Sequence, residues 1–354
     1  MEQKNGVVVS MKRKNRSVLF LSILKKLYIL LVFLSVLIVM TYVIFKICVR
    51  PPQIEELPSN TQDSLDTSSE SVSSINLPEI EASNTERKEL CYTFLLVASD
   101  KSGLLADVIM VVKYDTVNQE VGVISIPRDT LVDPNDIAWF PKINSSYGGD
   151  ITNLKAIIVD MLGIPIDFFV TVDVEGFVEL IDSIGGVDFN VPIHMSYDDP
   201  LQGLSIHYEP GLQHLTGQQA LEVCRLRYNQ DGTLAYPDYD IGRTNTQRDL
   251  LLAVAQKVLK HPEKIASYIE IWLKYVTTNL SFSNILWFAE SALDLDISTG
   301  VKTTALPGNG NVTCNGIGYC YQLYPDQVLE IVNDYVNPYQ RELTSSDLNI
   351  YEVN

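Results

Sequence analysis

The chain has 354 residues, is 46% hydrophobic and 20% charged, and carries a formal net charge of −18. That length allows one large domain or two small ones. The acidic bulk excludes a general nucleic-acid binder, which needs a basic face to neutralise phosphates.

The charge is unevenly placed: residues 1–50 carry +8 and residues 51–354 carry −26. Between the two regimes lies "LYILLVFLSVLIVMTYVIF", residues 27–45, 19 positions without a charge. This run is long enough to cross the hydrocarbon core of a bilayer as a helix. Lys12, Arg13, Lys14, Arg16, Lys25 and Lys26 precede it, and only Lys46 and Arg50 follow closely. The positive-inside bias predicts a basic cytoplasmic tail over 1–26, one transmembrane helix over 27–47, and an extracellular remainder in a single-pass cell-membrane protein. A cleaved signal peptide is the alternative, but the run is long for one and no small-residue cleavage site follows Phe45. Residues 48–89 are rich in Ser, Thr, Asp and Glu, have little to bury, and read as a disordered linker.

From residue 90 to 337 the chain reads as one folded α/β domain, with a tail over 338–354. "YTFLLVAS", "DVIMVVKYD" and "EVGVISIP" are β-rich runs, the last two joined by a hairpin at "DTVNQ". "NLKAIIVDML" predicts a helix that stops at Gly163, "DFFVTVDV" a strand, "EGFVELIDSI" a helix ended by Gly185 and Gly186, and "VDFNVPI" and "LSIHYE" further strands. Thr216 and Gln219 form a capping-box pattern ahead of "QALEVCRL". Asp240 is placed to cap a longer helix, "GRTNTQRDLLLAVAQKVLK". Pro262 and Pro325 open later helical segments, "SFSNILWFAESAL" is another helix, and "VKTTALPG" is a late strand. The mixture predicts an α+β mixed sheet covered by helices.

Four arginines, Arg225, Arg227, Arg243 and Arg248, gather within residues 225–248. Arg243 and Gln247 share one helix face, and Arg225 and Arg227 end the preceding helix. Guanidinium forks beside a helix N-terminus suit a pyrophosphate. The competing reading pairs the same arginines with Asp231, Asp238 and Asp240 on the surface. "SIPRDTLV" places Arg128 and Asp129 at a strand end, where α/β sheets put ligand sites, or where a turn salt bridge would sit. Asp100 and Asp107 flank one short loop. They read either as a Mg²⁺ pair completed by phosphate oxygens or as two solvated turn residues. His194, His207, His214 and His261 show no ligand spacing, and no histidine is placed to activate Ser99. Cys314 and Cys320 lie in "TCNGIGYCY", a spacing that permits a short disulfide without demanding one. Cys91 and Cys224 read as ordinary buried thiols.

Six ordered blocks carry a resemblance: "ASD…AD", "SIPRDTLV", "KINSSYGG", "LGIPIDFFVTVDVEGFVELIDSIGGVDFNVP", "GLQHLTGQQALEVCRLRY" and "DYDIGRTNTQ". The chain resembles the LytR-CpsA-Psr family of cell-envelope glycopolymer phosphotransferases from about residue 92 to 260, and more weakly to about 335. The resemblance implies a Mg²⁺-dependent enzyme that joins a glycopolymer, of teichoic acid or capsular polysaccharide type, from an undecaprenyl-pyrophosphate carrier to peptidoglycan. It implies Asp100 and Asp107 as metal ligands. Arg128, Arg225, Arg227, Arg243 and Gln247 would bind the pyrophosphate, Arg128, Asp240 and Arg243 would act in catalysis, and the lipid bilayer would be a partner. Asp129 and Asp240 are both candidates for the general base. Two family arginine positions hold Leu105 and Thr246 here. The alternative is therefore a relative that binds polyprenyl phosphates and regulates or scaffolds envelope assembly. Convergence of Arg128, Arg225, Arg227 and Arg243 on one pocket beside an apolar tunnel is the geometric expectation.

Overall fold

The structure, a computed structural model, describes residues 31–37, 39–40, 49–54, 86–100, 102–135, 140–200, 204–233, 235–236 and 240–353. The chain divides into two units, Met1–Pro51 and Pro52–Asn354. Most of the predicted linker, and the predicted membrane segment outside 31–37 and 39–40, lie outside the described residues. Those two stretches are helical. Among the described residues no helix is long and apolar enough to cross a membrane.

The second unit is organised by a six-stranded sheet. Its strands are β1 (Cys91–Ser99), β2 (Ala106–Asp115), β3 (Glu120–Ser125), β4 (Phe168–Val172), β9 (Val276–Thr278) and β10 (Val301–Ala305). The spatial order is β10-β3-β2-β1-β4-β9. β1, β2 and β3 run antiparallel in sequence, while β4 joins β1 and β10 joins β3 in parallel. The β2–β3 turn forms where Asp115 accepts from the amides of Val117 and Asn118, and Gln119 takes a left-handed φ of 54°.

Both sheet faces are covered, which is why the strands read as nearly continuous apolar runs. Leu95, Val97, Ile109, Val111 and Ile124 point to one face. There they pack against Leu154, Ile158 and Leu162 of α1 (Ile151–Leu162) and against Val328, Val332 and Val336. Asp150 caps α1 by accepting from the Thr152 amide, and Gly163 ends it at φ 65° with its amide on the Val159 carbonyl. A side chain at Gly163 would also strike the Asp347 carbonyl, 2.3 Å from the position of a β-carbon. The segment read as a tail, 338–353, runs over the domain here. Arg341 grips Asp347 bidentately, Leu343 is buried, and Gln322 donates to the Tyr351 carbonyl.

A second core joins α2 (Val174–Ser183), α3 (Gly217–Arg225) and α4 (Asp240–Leu259) to two small two-stranded sheets. These pair β5 (Val187–Val191) with β8 (Gly211–Leu215), and β6 (Met195–Asp199) with β7 (Leu204–Tyr208). The Thr216–Gln219 capping box is formed as expected. Asp240 differs from the sequence expectation: it is the first residue of α4 rather than the cap before it, and residues 237–239 lie outside the described residues.

One buried charge pins the N-terminal edge of the sheet. The Asp167 side chain is 3% exposed, receives two bonds of 2.7 Å from Arg87, and accepts from the amide and hydroxyl of Thr93. Asp167→Ala would leave a guanidinium, an amide and a hydroxyl without their acceptor. It should destabilise the domain by about 3–5 kcal/mol, read as a lower denaturant midpoint at unchanged slope.

Candidate active site

The opposite face of the sheet does not meet its helices closely. Phe94, Leu96, Met110 and Val112 look into a cavity of about 1160 Å³, roofed by Phe177, Leu251, Val254 and Trp272 from the helices. Its far end is lined by Phe94, Tyr114 and Phe288. Phe288 sits edge-on to Phe94 at 5.0 Å and belongs to an aromatic cluster with Tyr92, Phe168 and Trp287. The lining is mostly apolar; its charged groups are Asp100, Asp107, Asp173, Arg225, Arg227 and Arg243, with Gln247 beside them. Six residues singled out from the sequence, 147 positions apart at the extremes, thus share one cavity.

Each is placed by local structure. Asp107 stands at a β-bulge: Ala98 pairs with Val108 and Ser99 with Ala106, so Asp107 is the extra residue. Bulges of this kind turn a side chain out of the alternation of the strand. Asp107 bonds Arg128, which follows β3 in the turn begun by Pro127. Arg128 engages only Oδ1. A smaller cavity of about 10 Å³ lies beside this pair and is bordered by Asp107, Ser125, Arg128, Arg243, Thr244 and Gln247. Arg128 and Arg243 therefore meet around one space rather than on opposite faces of the sheet.

The loop from Asp100 to Leu105 is closed by the Asp100 amide on the Leu105 carbonyl at 2.8 Å. The Asp100 carboxylate accepts from the Ser102 hydroxyl and from the amides of Leu104 and Leu105. Partial burial pushes its pKa up. The Ser102 hydroxyl and the loop amides more than offset this, and the carboxyl titrates below its ordinary value. The loop therefore holds its charge-assisted bonds above the ordinary carboxylate range and loses them only as pH falls through the lower folded value. Ser102→Ala should move the Asp100 titration upward, measured by carboxyl chemical shifts.

Arg225 ends α3 and Arg227 follows two residues on. Gln247 donates to the Cys224 carbonyl at 3.1 Å and ties α4 to that end. Arg243 is 5% exposed. Arg248 does not share in the cavity lining; it is buried and donates to Asn245 at 2.9 Å. Asp231 accepts from Thr233 within its own turn. Asp240 opens α4, and its side chain lies outside the described ones. Asp129 bonds Lys142 at 3.1 Å beside Arg128 and does not line the cavity.

The two family-arginine positions have local roles here. The Leu105 amide serves Asp100. Thr246 is buried, with its hydroxyl on Tyr236 at 3.0 Å and on the Gly242 carbonyl at 3.1 Å. That bond clamps α4 to the preceding loop, whose Ala235 amide donates to the Arg227 carbonyl.

The sequence reading missed Ser125, Thr244, Lys142 and Tyr228. Lys142 opens the quoted "KINSSYGG" block, which was a usable signal. Ser125 likewise opens the quoted "SIPRDTLV" block, but only the close of β3 against β2 brings it to the small cavity. All four histidines are surface groups bonded to carboxylates: His194 to Glu209, His207 to Asp198, His214 to Asp188 and His261 to Glu263. None borders the cavity.

Among the described residues no three His, Cys, Asp or Glu side chains cluster as a metal site. The two carboxylates at the cavity mouth form an oxygen-only donor set. Such a set fits Mg²⁺, which takes one or two carboxylates and fills its shell with phosphate oxygens and water.

A mixed sheet thus carries arginines and carboxylates at one end of a large, mostly apolar cavity. The chain belongs to the LytR_cpsA_psr family, whose family model matches residues 59–335. It is 30% identical over 237 residues to the polyisoprenyl-teichoic acid–peptidoglycan teichoic acid transferase TagU of Bacillus anthracis, covering 65% of this chain and 73% of that one. It is 27% identical over 248 residues to an uncharacterized protein of Staphylococcus aureus (strain NCTC 8325 / PS 47), covering 69% of this chain and 57% of the other. The match thus spans little more than half the length of that relative. The crystal structure of B. subtilis TagV shares the fold, with a TM-score of 0.59 at 24% identity over 68% of this chain and 94% of that chain.

Proposed function

We propose that the chain is a Mg²⁺-dependent phosphotransferase that moves a glycopolymer from an undecaprenyl-pyrophosphate carrier to peptidoglycan. One observation carries this reading: Arg225, Arg227, Arg243, Asp100 and Asp107 ring the mouth of an apolar cavity of about 1160 Å³. That volume exceeds the roughly 300–1,000 Å³ usual for small-molecule pockets and suits a polyprenyl tail leaving water. Family membership and the printed name of the TagU relative support the same chemistry.

In this reading the tail lies between the sheet and α4, and the pyrophosphate rests among the three guanidinium groups. A sugar hydroxyl of peptidoglycan attacks the phosphorus that bears the glycopolymer. The pyrophosphate P–O bond breaks, undecaprenyl phosphate leaves, and the hydroxyl proton passes to a base. Arg225, Arg227 and Arg243 stabilise the charge gathering on the leaving phosphate, in a water-poor site where such contacts are stronger than in water. Arg128 bonds Asp107, and Asp240 opens α4 three residues before Arg243. Asp100 and Asp107 would hold Mg²⁺, which supplies further neutralisation of the phosphates. We also propose that the acidic unit acts outside the cell membrane, with the N-terminus cytoplasmic.

A second reading, a polyprenyl-phosphate-binding protein without transfer activity, is favoured by Thr246. Its side chain is committed to Tyr236 and adds no cation to the site. Purified full chain, polyprenyl-pyrophosphate glycopolymer, peptidoglycan and Mg²⁺ separate the two. The enzyme releases undecaprenyl phosphate and forms a phosphodiester-linked product. Tight lipid binding with no release, with or without Mg²⁺, establishes the second reading instead.

A further inference from the structure

A pair of cysteines outside the cavity has a geometry of its own. β11 (Gly308–Cys314) and β12 (Ile317–Leu323) form a separate two-stranded ribbon. Ribbons of this kind are marginal by themselves, and this one is exposed at Asn309, Gly310, Asn311, Thr313 and Tyr319. Its pairing slips by one residue: Cys314 pairs with Ile317, but Val312 pairs with Cys320. Gly318 and Tyr319 therefore stand opposite Thr313, and Tyr319 takes a left-handed φ of 55°. The bulge turns Cys320 to the inner face that Cys314 already occupies. Both are buried, at 0% and 3% exposed, in one small cluster with Leu131, capped by Tyr351.

The Cys320 thiol donates at 3.4 Å to the carbonyl of Ile317, the residue that pairs with Cys314. Cys91 opens β1 and Cys224 packs against the second core, outside this cluster. β12 also reaches the edge of the active site. The Tyr321 amide donates to the Asp129 carbonyl at 2.8 Å, and the Leu131 amide to the Tyr321 carbonyl at 2.9 Å.

We propose that Cys314 and Cys320 form an intrachain disulfide that fastens the β11–β12 ribbon and, through it, the segment following Arg128. Two thiols each give up a proton and an electron. A low-molecular-weight or protein disulfide accepts both pairs and becomes two thiols. Burial raises the Cys320 pKa, so thiolate is scarce in the closed ribbon. The bond therefore forms while the ribbon is open and acts as a permanent fastener rather than a rapid switch.

The full chain is reduced, then held in a glutathione redox buffer long enough for local opening, acid-quenched, denatured and alkylated. The expected product is a peptide spanning residues 314–320 that is lighter by two hydrogens, with Cys91 and Cys224 alkylated. Recovery of Cys314 and Cys320 as two alkylated thiols, or as two separate glutathione adducts, overturns the proposal. Reductant added to the oxidised chain should speed protease cleavage within residues 308–323 by on the order of tenfold, as loss of a short closed loop implies. Cleavage of the ribbon at the same rate with and without reductant also overturns it, and this arm requires no substitution.

Discussion

Arg243→Ala should weaken binding of a polyprenyl pyrophosphate by about 10²–10³-fold, the cost of removing one preorganised donor from a water-poor anion-binding site. Arg243 is 5% exposed and borders both the large cavity and the small one that Arg128 shares. Its charge therefore acts through little solvent. Arg243→Lys keeps the charge but loses the fork, and should recover only part of the loss. Arg341→Ala is the control. Arg341 holds Asp347 by bonds of 2.7 and 3.0 Å, and this contact keeps the Asp347 carboxyl well below its ordinary pKa. The pair's stability is present above the ordinary carboxylate range and lost as pH falls through the folded value. At neutral pH Arg341→Ala should lower the melting temperature and leave lipid affinity unchanged. Equal loss of affinity in the two variants would mean that net charge, not a built site, attracts the ligand.

The second large effect concerns the apolar cavity. Val170 lies in β4 beside Leu96 and lines it. Val170→Trp has open space to enter, so overpacking is small, and the domain should keep its stability. The added ring occupies volume that a polyprenyl tail needs. With about 0.8 kcal/mol for each buried methylene, exclusion of two or three methylenes should lower affinity for a long-chain carrier by about tenfold or more. Affinity for a short-chain pyrophosphate should stay near wild type. Isothermal titration with carriers of two chain lengths reads the difference, and equal losses for both would place the tail elsewhere.

The local features of the fold were legible because local chemistry sets them. The Thr216–Gln219 box, the Gly163 stop and the turn at Asp115 each follow from groups within a few residues of one another. The β5–β8 pair, the three-residue β9, and the return of 338–353 over α1 were not, because each depends on partners distant in sequence. The candidate site divides the same way. Asp100, Asp107, Arg225, Arg227, Arg243 and Gln247 were named from their blocks. The bulge that turns Asp107 out of its strand exists only as a mismatch between two strands. Likewise, Thr246 reads as a missing cation in the sequence, and only its bond to Tyr236 gives it a structural role.

Soaking the protein with an undecaprenyl pyrophosphate and Mg²⁺, and solving that complex, tests the central claim most directly. The account predicts the two phosphates among Arg225, Arg227 and Arg243, the metal between Asp100 and Asp107, and the tail running under α4 toward Phe288. A lipid head bound away from these arginines, with the cavity closed by its own side chains, would contradict it.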